Sequence, residues 1–188
     1  MQNNSVCKTC CFIGHRKIEK TDKLKTEIYE FIENLIVNEN VKRFLFGSKS
    51  EFDYLCHSVV TELKGKYPEI KRIGYTCRSE AVILENEREK WEKLFSHFDN
   101  LEADLLGVEE EFEHKTKYSS GKASYVERNQ AMINDSDYCL FYYNANYVPP
   151  QRKKGKDGLG YYQPKSGTAI AYNYAKRKKK IIKNFYIN

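Results

Sequence analysis

Three short stretches of this 188-residue chain set a glycine beside hydroxyl or cationic side chains, each between an apolar run or loop and a helical pattern: Gly14-His15-Arg16, Gly47-Ser48-Lys49-Ser50 and Ser166-Gly167-Thr168. Glycine lets backbone approach a ligand closely, hydroxyls and cations bond its oxygens, and the first amides of the following helix favour an anion. Turns and helix caps use the same residues singly. Three together point to a ligand that carries phosphate. The imidazole of His15 has the chemistry to bond that phosphate, to serve as acid or base near neutral pH, or to brace its own loop. Tyr142, Tyr143 and Asn144 end an aromatic run, and Tyr147, Tyr161 and Tyr162 flank the basic stretch QRKKGKDG. Such rings stack on a base while Lys153, Lys154 and Lys156 neutralise phosphate.

These residues need elements to hold them, and the hydrophobic periodicity supplies an alternation of strand and helix. CCFIG is a short apolar run ended by glycine, after which Leu24, Ile28, Phe31, Ile32 and Leu35 recur at helical spacing behind Thr21 or Asp22 as N-cap. RFLFG repeats the pattern, followed by a stripe of Phe52, Leu55, Val59 and Leu63, and KRIGYTC reads as a third strand. A helix from Tyr125 to Asn134, the strand DYCLFYY, a helix from Gly167 to Arg177 and the strand KIIKNFYI complete five predicted strands. Strands in series with helical crossovers require a parallel sheet, so the fold class is α/β. Ligands bind such sheets at the carboxyl ends of the strands, where the three glycine stretches fall.

Two segments break the rhythm. Residues 78–120 or thereabouts are charge-rich and read as a helical flap, with NEREKWEKLF as an amphipathic helix. The acidic cluster VEEEFEH inside it projects carboxylates in several directions from a helix, and His57, His97 and His114 have no partners at metal spacing, so no metal site is expected. Residues 145–165 are longer than usual connections and lack periodicity, which marks a lid that responds to ligand.

Composition bounds the rest. The length suits one domain spanning 1–188, and hydrophobic content of 40% with 14% aromatics is globular. No apolar run reaches the roughly 18 residues of a membrane span, and the first residues lack the pattern of a secretory leader, so the expected location is the cytoplasm without membrane attachment. Cys7, Cys10 and Cys11 contain a Cys-x-x-Cys, but Cys56, Cys77 and Cys139 stand alone. Without a second pair of ligands they read as reduced thiols packed as small hydrophobes. Net charge is +6, densest from Lys176 to Lys180. That run reads as a solvated helix end complementing the macrodipole, with a nucleic-acid patch as the alternative.

The order FIGHR, FLFGSKSEFD, LKGKYPEIKRI, a lone Trp91, YVERNQAMINDSDYCLFYYN and SGTAIAYNYAKRKKKII resembles the YpsA-like branch of the SLOG superfamily through nearly the whole chain. That resemblance implies a Rossmann-like three-layer α/β/α sandwich with a mainly parallel sheet, nucleotide-type ligands, no resident cofactor and a homodimer built through flanking helices. The family's Arg-x-x-x-Met segment falls on Arg128 and Met132, with Asn129 beside them, and its phosphate loop on Ser166, Gly167 and Thr168. SLOG proteins are similar to the LOG phosphoribohydrolases and to the DNA-processing protein DprA. LOG-type hydrolases place a glutamate one turn after their Gly-Thr; here the stretch is Ala169-Ile170-Ala171-Tyr172. A substitute carboxylate would come from Glu51 or Asp53, although Asp53 also suits a ribose contact or a helix cap. The expected function is nucleotide-derivative binding for sensing or sequestering. Its alternatives are N-glycosidic hydrolysis of a nucleoside phosphate and single-stranded nucleic-acid binding.

Overall fold

The structure, a computed structural model, describes residues 7–47, 50–77, 108–114, 117, 121–148 and 165–187. Strand β1 (Lys8–Gly14) leads through α1 (Asp22–Glu39) to β2 (Val41–Phe46), and α2 (Glu51–Lys66) leads on to β3 (Lys71–Cys77). After β4 (Glu110–His114), α3 (Gly121–Asn134) crosses to β5 (Tyr138–Tyr142), and α4 (Gly167–Arg177) connects to β6 (Ile181–Asn184). The six strands form one sheet in the order β4-β3-β2-β1-β5-β6 with every neighbouring pair parallel. The chain first builds outward on one side of β1 and then returns to its other side. The strand order therefore reverses between β1 and β5.

Parallel strands covered on both faces must be apolar on both, and β1 reads that way. Cys10 and Phe12 join Phe44, Phe52, Ile28, Ile32 and Leu63 in the core beneath α1 and α2. Cys11 and Ile13 join Leu45, Ile73, Met132, Phe141, Ala171 and Ala175 in the core beneath α3 and α4. Each large side chain buried here contributes roughly 1.5–3 kcal/mol. Ala171 and Ala175 are small enough to bring α4 close to the sheet. Five of the six cysteines are buried and all are free thiols. Burial pushes the thiols of Cys10, Cys11 and Cys56 well above their ordinary range, which makes them unreactive packing groups. No described helix is long and apolar enough to cross a membrane.

The helix ends follow their local sequence. Thr21 caps α1, its hydroxyl accepting the Leu24 amide, and Asn40 closes it in the left-handed region at φ 56°. Ser50 caps α2 and Ser166 caps α4 in the same manner.

One expectation is corrected. Glu110–His114 belongs to no helical flap but forms an edge strand paired with β3, Ile73 opposite Glu110 and Cys77 opposite His114. Residues 78–107, including Trp91, lie outside the described residues. The strand is anchored just before it begins. Glu109 accepts the Arg72 amide at 2.6 Å and the Arg72 guanidinium at 2.8 Å, and its own amide donates to the Arg72 carbonyl at 2.9 Å. The other arm of that guanidinium donates to the Thr61 hydroxyl on α2 at 2.8 Å.

Burial alone would raise the Glu109 carboxyl, but the bonds and charge of Arg72, with Lys64 behind, outweigh it and hold the group down from 4.5 to about 2. The folded value is depressed, so the contribution to stability is full above about pH 4.5 and is lost as pH falls toward 2. Glu109→Gln should cost about 2 kcal/mol at neutral pH, allowing for solvent screening of a side chain that keeps 27% of its surface exposed. Thermal unfolding followed from pH 7 to pH 2 should show a melting temperature lower by about 4–8 °C at pH 7 and a flatter acid limb. A variant whose acid limb superimposes on the parent's would refute the anchoring role.

Candidate functional site

The carboxyl ends of β5, β1 and β2 lie side by side, within about 10 Å at the usual strand spacing, and most of the candidate residues gather on them in two clusters. In the first, at the reversal between β1 and β5, the Thr168 hydroxyl donates to the Gly14 carbonyl at 3.0 Å. The Asn144 amide donates to His15 Nε2 at 3.0 Å. In the second, at the end of β2, Arg128 lies against Gly47: a β-carbon on that glycine would stand 2.9 Å from Arg128 Nη2 and 3.0 Å from Met132 Sδ. Arg128 is 5% exposed, donates through Nε and Nη2 to Asn129 Oδ1 at 3.3 and 3.1 Å, and sits 5.5 Å over the Tyr125 ring. The second cluster reaches the first through α3 and α4, which pack together; Lys122 in the first turn of α3 donates to the Lys165 carbonyl just before α4.

The glycines serve two different ends. At Gly14 a β-carbon would lie 2.3 Å from the β-carbon of Phe52, so this glycine makes room for α2. Gly47 makes room for the guanidinium of Arg128. Of these three, Gly167 is the one with no described atom within 4 Å of its β-carbon position.

Electrostatics separates the three helix starts in the same way. Asp22 occupies the first turn of α1, and Glu51 and Asp53 that of α2, so the positive ends of both dipoles are already matched by carboxylates. Asp53, 6% exposed, closes a box with the cap: its amide donates to Ser50 Oγ at 3.0 Å and that hydroxyl donates to Asp53 Oδ2 at 3.1 Å. Glu51 fastens the loop after β1, accepting the Ile18 amide at 3.0 Å and Lys17 Nζ at 2.9 Å, while its own amide donates to the Arg16 carbonyl. Burial acts to raise the Glu51 carboxyl, but the Ile18 amide, Lys17 and Lys20 together hold it below the usual range. The first turn of α4 carries no acid. Ser166 Oγ accepts the Ala169 amide and the Ser166 carbonyl that of Ile170, while in this acid-free turn the amides of Gly167 and Thr168 have no partner among the described residues.

His15 proves to be a brace for its surroundings. It is 4% exposed, with the Tyr147 ring 4.3 Å and the Tyr143 ring 6.1 Å from its own. Because Nε2 accepts a backbone amide, the neutral ring carries its proton on Nδ1. Arg16 is exposed, and Ser48, Lys49, Lys153, Lys154, Lys156, Tyr161 and Tyr162 lie outside the described residues. Among the described residues no three His, Cys, Asp or Glu side chains converge as metal ligands would.

Two contributors escaped sequence reasoning. Asn184 in β6 brackets the residue after β5, accepting the Tyr143 amide at 2.9 Å and donating to its carbonyl at 3.0 Å. Tyr172, one turn into α4, stacks on Tyr143 with centroids 4.5 Å apart. Nothing local to either residue signals these contacts, since both partners are remote in the chain.

The family model YpsA, described as the YspA SLOG family, matches residues 12–172, which reach from the middle of β1 into α4. The chain is also similar to a protein of Bacillus subtilis (strain 168) named Uncharacterized SPbeta prophage-derived protein YoqJ. The two are 28% identical over 160 residues, covering 82% of this chain and 81% of that protein.

Burial lowers the His15 imidazole below its ordinary value of 6.5. The unfolded chain takes up the proton first, so stability is full above about pH 6.5 and declines as pH falls toward the folded value. Nuclear magnetic resonance should find Nε2 unprotonated at pH 7.5 and the ring titrating below 6.5. His15→Ala should remove that pH-dependent component and cost about 1–3 kcal/mol through the stranded Asn144 amide. A ring that titrates at or above its ordinary value would contradict this arrangement.

Proposed function

The chain belongs to the YpsA family of SLOG proteins, and from that premise we propose that it binds a nucleotide or nucleotide derivative in the crevice between the carboxyl ends of β1 and β5. What supports this most directly is the start of α4, where two amides without a partner among the described residues, an acid-free first turn and a Gly167 β-carbon position that no described atom approaches coincide. A phosphate there meets the positive end of the helix dipole with donors already oriented. Arg128, held on the neighbouring helix beside Gly47, adds a charge-assisted contact through a planar fork suited to phosphate oxygens. Tyr147, 42% exposed beside His15, offers a face for the base, and Asn144 offers polar groups for its edge.

Binding for sensing or sequestering fits this chemistry better than cleavage of an N-glycosidic bond. Hydrolysis requires a carboxylate within reach of ribose. Asp53 is joined to the cap of α2, and Glu51 to the loop after β1. No glutamate stands in the first turns of α4.

Thermal shift against nucleoside monophosphates, cyclic nucleotides, NAD and ADP-ribose provides the test. A ligand at about a hundredfold its Kd stabilises the native state by about 2.7 kcal/mol, which for a chain of this size raises the melting temperature by roughly 5–10 °C. Arg128→Ala should lose most of that shift. Because Arg128 is buried and its removal lowers stability on its own, Gly167→Val supplies the second arm: its added methyls enter unfilled space, so the unliganded melting temperature should hold while the shift disappears. A shift that survives both substitutions, or no shift with any nucleotide, would overturn the proposal. Release of free base from the ligand during incubation would make the protein a hydrolase.

A further inference from the structure

The chain's excess charge is concentrated far from the crevice. Lys176 and Arg177 end α4, Lys178 follows as its C-cap, Lys179 and Lys180 form the turn, and Lys183 lies in β6. Taking these six from the 32 Lys and Arg leaves 26, matched by 26 Asp and Glu, so this strip alone equals the net charge of +6. Elsewhere several cations find carboxylates: Lys8 pairs with Glu39, Lys17 with Glu51, Lys25 with Glu62, Lys66 with Glu33 and Arg72 with Glu109. Within the strip no cation has a carboxylate within 4.0 Å among the described residues. Lys180 alone is engaged by protein acceptors, the carbonyls of Asn134 and Ser136.

Helix-end electrostatics accounts for part of this only. A macrodipole favours cations within the last turn, which covers Lys176 and Arg177 but not Lys179 or Lys183. The strip is also ordered by rings. Lys176 lies 5.0 Å over Tyr172, Arg177 and Lys178 lie 5.7 and 5.5 Å over Tyr174, and Lys183 lies 5.3 Å over Phe185. Tyr174 is itself pinned by its hydroxyl bond to Asn134 Oδ1 at 3.0 Å. Five of the cations are thus consecutive at the end of α4 and the turn into β6, and Lys183 follows over Phe185 and Phe31. Because α4 runs back along the sheet, Lys176 to Lys180 sit at the amino end of β6, about 16 Å of helix away from Gly167, while Lys183 stands opposite Leu140 of β5.

We propose that this strip is a second binding surface, separate from the crevice, for the phosphate backbone of a nucleic acid. A row of unpaired cations on a solvated edge matches a regularly charged strand, and releasing that strand's counterions supplies the affinity. An anionic bilayer fits less well. The tyrosine rings lie beneath the charges, and Ile181, 56% exposed, is the only large exposed apolar side chain in the strip, too little to anchor a protein by insertion.

Fluorescence anisotropy with a labelled oligothymidylate of about 20 nucleotides, and with a duplex of equal length, tests the assignment between about 50 and 200 mM salt. With three or four phosphates neutralised, the logarithm of affinity for the single strand should fall against that of salt with a slope of about −2 to −3. The triple variant Lys176→Gln, Arg177→Gln, Lys178→Gln replaces exposed side chains, so it should keep its melting temperature, bind at least tenfold more weakly and lose about two units of slope. The matched triple variant Lys23→Gln, Lys25→Gln, Lys66→Gln removes equal charge from α1 and α2 and should bind as the parent does. Equal weakening in both triple variants would reduce the effect to net charge and overturn the proposal. So would binding to vesicles of phosphatidylserine and phosphatidylcholine without oligonucleotide binding, or no binding at the lowest salt. Oligonucleotide displaced by adenosine monophosphate and unaffected by the strip variant would place nucleic acid in the crevice and refute this surface.

Discussion

The arrangement at the carboxyl end of the sheet depends on the missing β-carbon of Gly14. Phe52 occupies that space so closely that any side chain would collide with its β-carbon at 2.3 Å. On one face of the sheet this contact seats the first turn of α2, and with it the Ser50 cap and the grip of Glu51 on the loop from Arg16 to Ile18. From the other face, Thr168 of α4 donates to the Gly14 carbonyl. Across the sheet Gly14 pairs with Tyr142. One residue thus joins both helical layers to the two strands between which the strand order reverses.

Around that joint the polar groups divide their work. Carboxylates stand in the first turns of α1 and α2 and His15 accepts the amide after β5, whereas the first turn of α4 carries no acid and its Gly167 and Thr168 amides have no partner among the described residues. The difference lies in which side chains stand in the first turn, not in the backbone, since every helix presents the same amides. The two ends of α4 accordingly differ in character: donors without side-chain charge at one, and a row of cations over tyrosine rings at the other.

Much of this was legible in the residues. Strands with continuous apolar character, the Thr21 cap and the span of α4 from Gly167 to Arg177 follow from local pattern alone, and the SLOG resemblance carried the architecture. Strand β4 was hidden because its glutamates argue against a buried edge, and because the Arg72–Glu109 contact that docks it joins residues 37 positions apart. The neighbours of the glycines were hidden for a related reason. A glycine next to a phosphate and one next to Phe52 look identical in a sequence, and only the remote neighbour distinguishes them. The bond that holds His15 was hidden likewise, because the Asn144 amide it accepts lies 129 residues along the chain.

The reversal of strand order also bears on how the chain reaches this state. Strand β1 is made early and soon finds β2, yet its other edge pairs with β5, so that Cys10 waits for Tyr138. Until residues 138–142 emerge from the ribosome, the central strand presents a row of unsatisfied amides and carbonyls flanked by bulky apolar side chains. An edge of that kind recruits foreign strands, and closing it late demands a contact of high sequence separation, which is slow. The most protected strand of the finished molecule is the most vulnerable one of the nascent chain.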